Sequence, residues 1–143
     1  MYSSIIDFGT PQYGELVSLR DVVLRKPLGL EFKASDLSQE FDSIHLAVYH
    51  DTGQLLGCLV LKPLSDDEIK MRQVAVYPHL QKQGVGTFLV NSSEVIVKSL
   101  GYTKIVLSAR LPAVPFYERL SYTIDGKVYT EVGIDHLKMW KKL

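Results

Sequence analysis

The chain has 143 residues, 46% of them hydrophobic, which suits one domain with an ordinary buried core over residues 1–143. Lys and Arg together number 16, as do Asp and Glu, so the formal net charge is zero; neither nucleic acid nor an anionic membrane is an expected partner. No apolar run approaches the roughly 20 residues that span a bilayer, and Met1-Tyr2-Ser3-Ser4-Ile5-Ile6-Asp7 lacks a signal-peptide pattern, so a cytoplasmic location is expected.

Thr10-Pro11 offers an N-cap and a proline at the first helical position, and Leu16, Leu19, Val23 and Leu24 follow at helical spacing. Arg25-Lys26-Pro27-Leu28-Gly29-Leu30 should break that helix, and Ser35-Asp36-Leu37-Ser38 should form a short helical turn. His45 to Tyr49 reads as a strand, Asp51-Thr52-Gly53 as a turn, and Leu55 to Leu61 as the antiparallel return. A strand is expected from about Ile69 to Val76, ended by Pro78. A long helix should run from about Gly84 to Leu100, with Val85, Phe88, Leu89, Ile96 and Leu100 on one face and Ser92-Ser93 as a gap in it. Gly101 stops it. Lys104 to Ala109 reads as a strand, Pro115 to Leu120 as a short helix, and Tyr122 to Leu143 as two strands around Gly126 and Gly133. The order predicts an α/β or α+β fold, a mixed sheet flanked by helices.

The informative stretch is Val74-Ala75-Val76-Tyr77-Pro78-His79-Leu80-Gln81-Lys82-Gln83-Gly84-Val85-Gly86-Thr87. It is a strand, a tight polar loop, and two glycines at the start of an amphipathic helix. The first turn of a helix has amides without intrahelical partners and a dipole that favours negative charge, so a phosphate is the natural occupant. Two glycines also serve a tight connection alone. The Walker spacing and the third glycine of a dinucleotide fingerprint are both missing.

Gln81-Lys82-Gln83-Gly84-Val85-Gly86 resembles the Arg/Gln-x-x-Gly-x-Gly/Ala signature of the GNAT N-acetyltransferase superfamily. Ala113-Val114-Pro115-Phe116-Tyr117-Glu118-Arg119-Leu120-Ser121-Tyr122 is similar to that family's Ala-x-x-Phe-Tyr-x-x-x-Gly-Phe segment, with Ser121 in place of glycine. Tyr129-Thr130-Glu131-Val132-Gly133-Ile134-Asp135-His136 resembles the tail of the ElaA-like branch. The resemblance implies a mostly antiparallel sheet and acetyl-CoA as co-substrate, with no metal. It implies that Gln81 to Thr87 wrap the CoA pyrophosphate, and that Val74, Ala75 and Val76 hold the pantetheine arm through their backbones. Phe116 belongs to the same cofactor surface. Arg110 stands where many members place an asparagine that touches pantetheine.

Acyl transfer needs a neutral amine, stabilisation of an oxyanion and a proton for the departing thiolate. The resemblance makes Tyr117 the proton donor, and a phenol is protonated at neutral pH; core packing on a short helix is its alternative role. Amides around Val74 to Val76 are candidates for the oxyanion. Arg72 and Gln73 are not bases, which leaves Glu131 and His136, with His45 behind them. Glu131 and His136 would point to opposite faces of an unbroken strand, unless Gly133 introduces a bulge. Cys58, the only cysteine, reads as a small buried residue. Arg20, Arg25 and Lys26 lie where relatives line the acceptor pocket, or form a solvated helix end. The expected acceptor is a small-molecule or peptide amine, and a homodimer is compatible with the sequence. A non-catalytic acyl-CoA sensor of the same fold is the alternative function.

Overall fold

A computed structural model describes residues 1–143. Its frame is a seven-stranded sheet in the order β1-β2-β3-β4-β5-β7-β6. The strands are β1 (Tyr2–Ile6), β2 (Ile44–Tyr49), β3 (Leu55–Pro63), β4 (Glu68–Val76), β5 (Lys104–Arg110), β6 (Thr123–Glu131) and β7 (Ile134–Lys142). Every neighbouring pair is antiparallel except β4 and β5. Parallel neighbours need a crossover, and helix α3 (Val85–Ser99) supplies it.

Helix α1 (Pro11–Arg20) begins as its sequence dictates, with the Thr10 hydroxyl accepting from the Tyr13 amide at 3.2 Å. It runs on through one π turn, Asp21–Arg25, and a 3-10 turn ended by Gly29 in left-handed conformation, φ 67°. Helix α2 spans Ala34–Ser38, and α4 spans Val114–Arg119. No helix is long and apolar enough to cross a membrane.

The pleat sorts the side chains into two cores. On one face, Leu59, Leu61, Ile69, Met71, Ile105, Leu107 and Met139 pack with Val85, Leu89, Val90 and Val97 of α3 and Val114 and Tyr117 of α4. On the other, Leu16 and Leu19 of α1 cover Ala47, Cys58 and Ala75. Ser93 is no gap in the α3 face. It is fully buried at the centre of that face, its hydroxyl donating to the Val90 carbonyl at 2.7 Å. Leu100, in contrast, is exposed.

The edge strand β1 was not visible in the sequence. Ser3 and Ser4 interrupt any alternation, and the strand is held by its pairing with β2 and by Tyr2 stacking on Tyr49 at 5.5 Å.

Candidate active site

A wedge opens between β4 and β5. They pair only from Glu68 with Lys104 to Met71 with Leu107. Beyond that point β4 continues to Val76 and stays bonded to β3, while β5 continues to Arg110 and stays bonded to β7. The β5-facing backbone of Val74, Ala75 and Val76 therefore has no strand partner, and unmet amides and carbonyls favour an extended ligand lying alongside. The cause is local. Cys58 faces Ala75 but Val60 faces Arg72, so β4 carries one extra residue there. Gln73 stands at this bulge with φ 54°, and its buried Oε1 has no partner. A non-glycine residue held in that region is costly and concentrates at functional sites.

The loop between β4 and α3 lies at the end of the same strand. Lys82 (φ 63°) and Gly84 (φ 86°) are both left-handed, separated by Gln83. Such a backbone turns successive amides inward and makes an anion-binding concavity. Phe88 is the first residue of α3 whose amide reaches a backbone carbonyl, that of Gly84 at 3.0 Å. The amides ahead of it, at Val85, Gly86 and Thr87, point out of the helix end. Gln81 and Gln83 brace the loop, since their side-chain amides donate to Val76 O at 3.1 Å and His79 O at 3.0 Å. Lys82 is exposed and in no ion pair.

The two glycines have separate reasons. A Cβ on Gly84 would meet nothing within 4 Å, so the requirement there is its φ. A Cβ on Gly86 would lie 3.3 Å from the Phe116 ring, so that glycine lets α3 close on α4. Gly57, which belongs to none of the sequence motifs, lies under the loop: a Cβ there would lie 3.0 Å from Ala75 O and 3.3 Å from Val85. A glycine inside a strand is the signal that marks such an approach. Gly84→Val, with open space but a strained backbone, should stay folded by circular dichroism and lose affinity for the CoA that the sequence resemblance assigns to this loop by about tenfold or more, equivalent to about 1.4 kcal/mol. Unchanged affinity by titration calorimetry would reduce Gly84 to a turn residue.

Tyr117 lies in the main core, 7% exposed, its ring edge-on to Phe116 at 5.0 Å and to Tyr122 at 5.7 Å. Burial pushes its phenol up to about 12. Its hydroxyl bonds no protein group, yet it is not among the sealed, unpartnered atoms of the interior. Tyr122 differs: its hydroxyl donates to Glu94 at 2.9 Å.

Glu131 and His136 lie on one face, contrary to the unbroken-strand expectation. Val132 (φ 54°) and Gly133 (φ 74°) form a two-residue hairpin turn, so Glu131 faces Ile134 and Tyr129 faces His136. His136 stacks on Tyr129 at 5.9 Å, and the Tyr129 hydroxyl donates to the Ser108 hydroxyl. The His136 Nδ1 lies 2.8 Å from Ile134 O. A carbonyl only accepts, so Nδ1 carries the proton and Nε2 is left as a potential proton acceptor. Arg110, at the end of β5, pairs with His136 in the sheet. Glu131 is exposed at the turn.

Arg20 does not line a pocket. It is fully buried and forks onto Glu40, with bonds of 2.8 and 2.6 Å, while the Tyr13 hydroxyl adds a third at 2.8 Å. Arg25 lies over the Phe32 ring at 4.4 Å. Nearby, an open cleft of about 530 Å³ lined by Val17, Asp21, Lys26 and Phe32 among others shares no residue with the wedge or loop. Cys58 is buried and its thiol is pushed up to about 12 by burial, as suits a packing residue. No group of three or more His, Cys, Asp or Glu side chains is placed to hold a metal.

The chain is 29% identical over 114 residues to the uncharacterized protein YyaT of Bacillus subtilis (strain 168), covering 76% of each protein. Its fold superposes on Escherichia coli ElaA with a TM-score of 0.83, at 17% identity over 99% of each chain. It also superposes on an aminoglycoside 6'-N-acetyltransferase complexed with coenzyme A, with a TM-score of 0.81 at 21% identity over 99% of this chain and 97% of that one. Residues 14–122 match the acetyltransferase (GNAT) family, which takes in the wedge, the glycine loop and the Phe116-Tyr117 helix together, and the chain belongs to that family.

Proposed function

We propose that residues 1–143 act as one cytoplasmic N-acyltransferase domain that moves an acetyl group from acetyl-CoA to the primary amine of a small molecule, by direct attack in a ternary complex. The observation that carries this reading is the junction of two features on one strand: an anion-binding loop at Lys82 to Thr87, and an unpaired backbone edge at Val74 to Val76. The first suits a pyrophosphate and the second an extended amide-bearing arm, the two parts of CoA. Gln81 and Gln83 hold the loop in shape and Lys82 adds charge, while Phe116 packs against Gly86 beneath it.

The chain's own groups then divide the chemistry. Amides of the free β4 edge stabilise the carbonyl oxygen as charge builds on it. Tyr117 donates a hydrogen bond to the sulfur as the carbon–sulfur bond breaks. His136 Nε2 takes the proton released by the amine, with Glu131 on the same face and Arg110 beside it. The aminoglycoside acetyltransferase among the fold relatives supports a small amine as acceptor.

The test has two readings. Acetyl-CoA at 100 times its dissociation constant should stabilise the native state by about 2.7 kcal/mol. For a chain of this size that raises the unfolding temperature by roughly 5–10 °C. NADH and ATP should do far less. Thiol release from acetyl-CoA is then followed over a panel of amines. Absence of any shift with acetyl-CoA or CoA would overturn the assignment.

A further inference from the structure

The second face of the sheet carries a group of cations without ion-pair partners beside the wedge. Ile69 and Met71 point into the main core, so the pleat sends Lys70 and Arg72 to the opposite face. The same rule puts Lys62 of β3 there, between Leu61 and the strand end, and Lys138 of β7, between Leu137 and Met139. Lys62 and Lys70 are directly opposed partners across β3 and β4, an arrangement that destabilises a sheet. The molecule's five ion pairs all lie elsewhere: none of Lys62, Lys70, Arg72 and Lys138 has a carboxylate within 4.0 Å. Asp125 is opposite Lys138 in register but forms no such pair.

Lys70 feels this most. It is half-buried, and burial first, then Arg72, Lys138 and Lys62, weaken its hold on its proton; Glu131 alone opposes them. Repulsion of this kind gives the fold nothing, and a bound anion would relieve it. Its position is also informative, because Arg72 is the first β4 residue beyond the pairing with β5, where the wedge begins to open. The phosphate loop heads α3, which packs on the other face. A donor held by that loop would therefore reach the wedge from the α3 side and meet an acceptor from the cationic side.

We propose that the amine acceptor carries an anionic group, a carboxylate or a phosphate, which Lys70, Arg72 and Lys138 hold at the open face of the wedge. This deepens the transferase reading above and rests on it. It also separates this chain from its aminoglycoside-acetylating fold relatives, since a polycationic substrate would be repelled by the same residues.

The experiment compares paired acceptors by thiol release at low salt: an α-amino acid against its carboxamide, and glucosamine 6-phosphate against glucosamine, with a polycationic aminoglycoside as a fifth. The two pairs distinguish a carboxylate from a phosphate. Within at least one pair the anionic member should have kcat/KM about tenfold higher or more, an advantage that shrinks as salt screens it. Lys70→Gln and Arg72→Gln should each cut that ratio about tenfold, and Lys70→Gln should unfold at an unchanged or higher temperature. Lys104→Gln, whose cation already pairs with Glu68 at 3.5 Å, should leave the ratio as it is. Preference for the neutral members or the aminoglycoside, or an equal loss of the ratio in Lys104→Gln, overturns the proposal while the transferase stands. Acetyl-CoA binding without thiol release from any of the five overturns the transferase reading and this one with it.

Discussion

Glu40→Ala should lower stability by about 3–5 kcal/mol, the range for removing one partner of a buried ion pair. On a chain of this size that is on the order of 10–15 °C in unfolding temperature. The reason is the state of what remains. The Arg20 guanidinium is fully buried, its Nε already without a partner, and its other nitrogens bond only Glu40. The Tyr13 hydroxyl would lose its acceptor as well. An exposed pair would contribute at most about 1 kcal/mol, so a loss of that size in thermal or urea unfolding would contradict the burial. The double variant Arg20→Met with Glu40→Leu removes both charges and should recover most of the loss. A double variant no better than Glu40→Ala would place the effect in packing instead.

The pH dependence follows with a definite sign. Burial pushes the Glu40 carboxyl up, but the bonds from Arg20 outweigh it and hold the group below its ordinary value. A depressed carboxyl contributes stability above its unfolded value of about 4.3, and that contribution is lost as pH falls below it. The wild type should therefore lose stability in acid more steeply than the double variant.

This pair also marks the limit of what the chain spells out. Arg20 and Glu40 are separated by a π turn, a 3-10 turn and α2, and no local spacing announces that they meet. Next to Arg25 and Lys26, Arg20 reads as one more exposed cation. The glycine loop is the opposite case, because the anion-binding role proposed for it needs contiguous residues of particular types: a left-handed glycine at 84, a small residue at 86, a helix directly after. The wedge was half legible. That β4 precedes the loop follows from alternation and Pro78, whereas the bulge at Gln73 carries neither glycine nor proline and depends on how β3 and β5 pull the strand apart. Glu131 and His136 show the same limit. Their face is decided by whether the strand runs unbroken through Val132-Gly133 or turns there, and the two cases reverse the outcome. The cation cluster needs strand order, since Lys62, Lys70 and Lys138 come from three strands whose adjacency the sequence does not state.

Tyr117→Phe should lower turnover about 100-fold, at the lower end of the 10²–10⁴ range of general acid catalysis, while acetyl-CoA binding stays close to wild type. The size follows from the proton's two possible homes. The buried phenol holds it with a pKa of about 12, and a free thiol holds it at about 8.5. Full transfer even to the departed thiolate would be uphill by about 3.5 units, or about 5 kcal/mol. In the proposed mechanism Tyr117 therefore serves as a hydrogen-bond donor to sulfur as its charge grows and keeps its own proton, while His136 holds the one the amine releases. The phenylalanine ring keeps the edge contacts with Phe116 and Tyr122, so folding should be intact. Two further readings separate this role from packing. The defect should shrink with thioester donors whose thiols are more acidic, since these leave with less help. The wild-type rate should also show no downturn assignable to Tyr117 below about pH 11, because a phenol raised to about 12 stays protonated there. A folded Tyr117→Phe enzyme with full turnover on a verified acceptor would return Tyr117 to the core. So would a loss that follows unfolding temperature rather than leaving-group acidity.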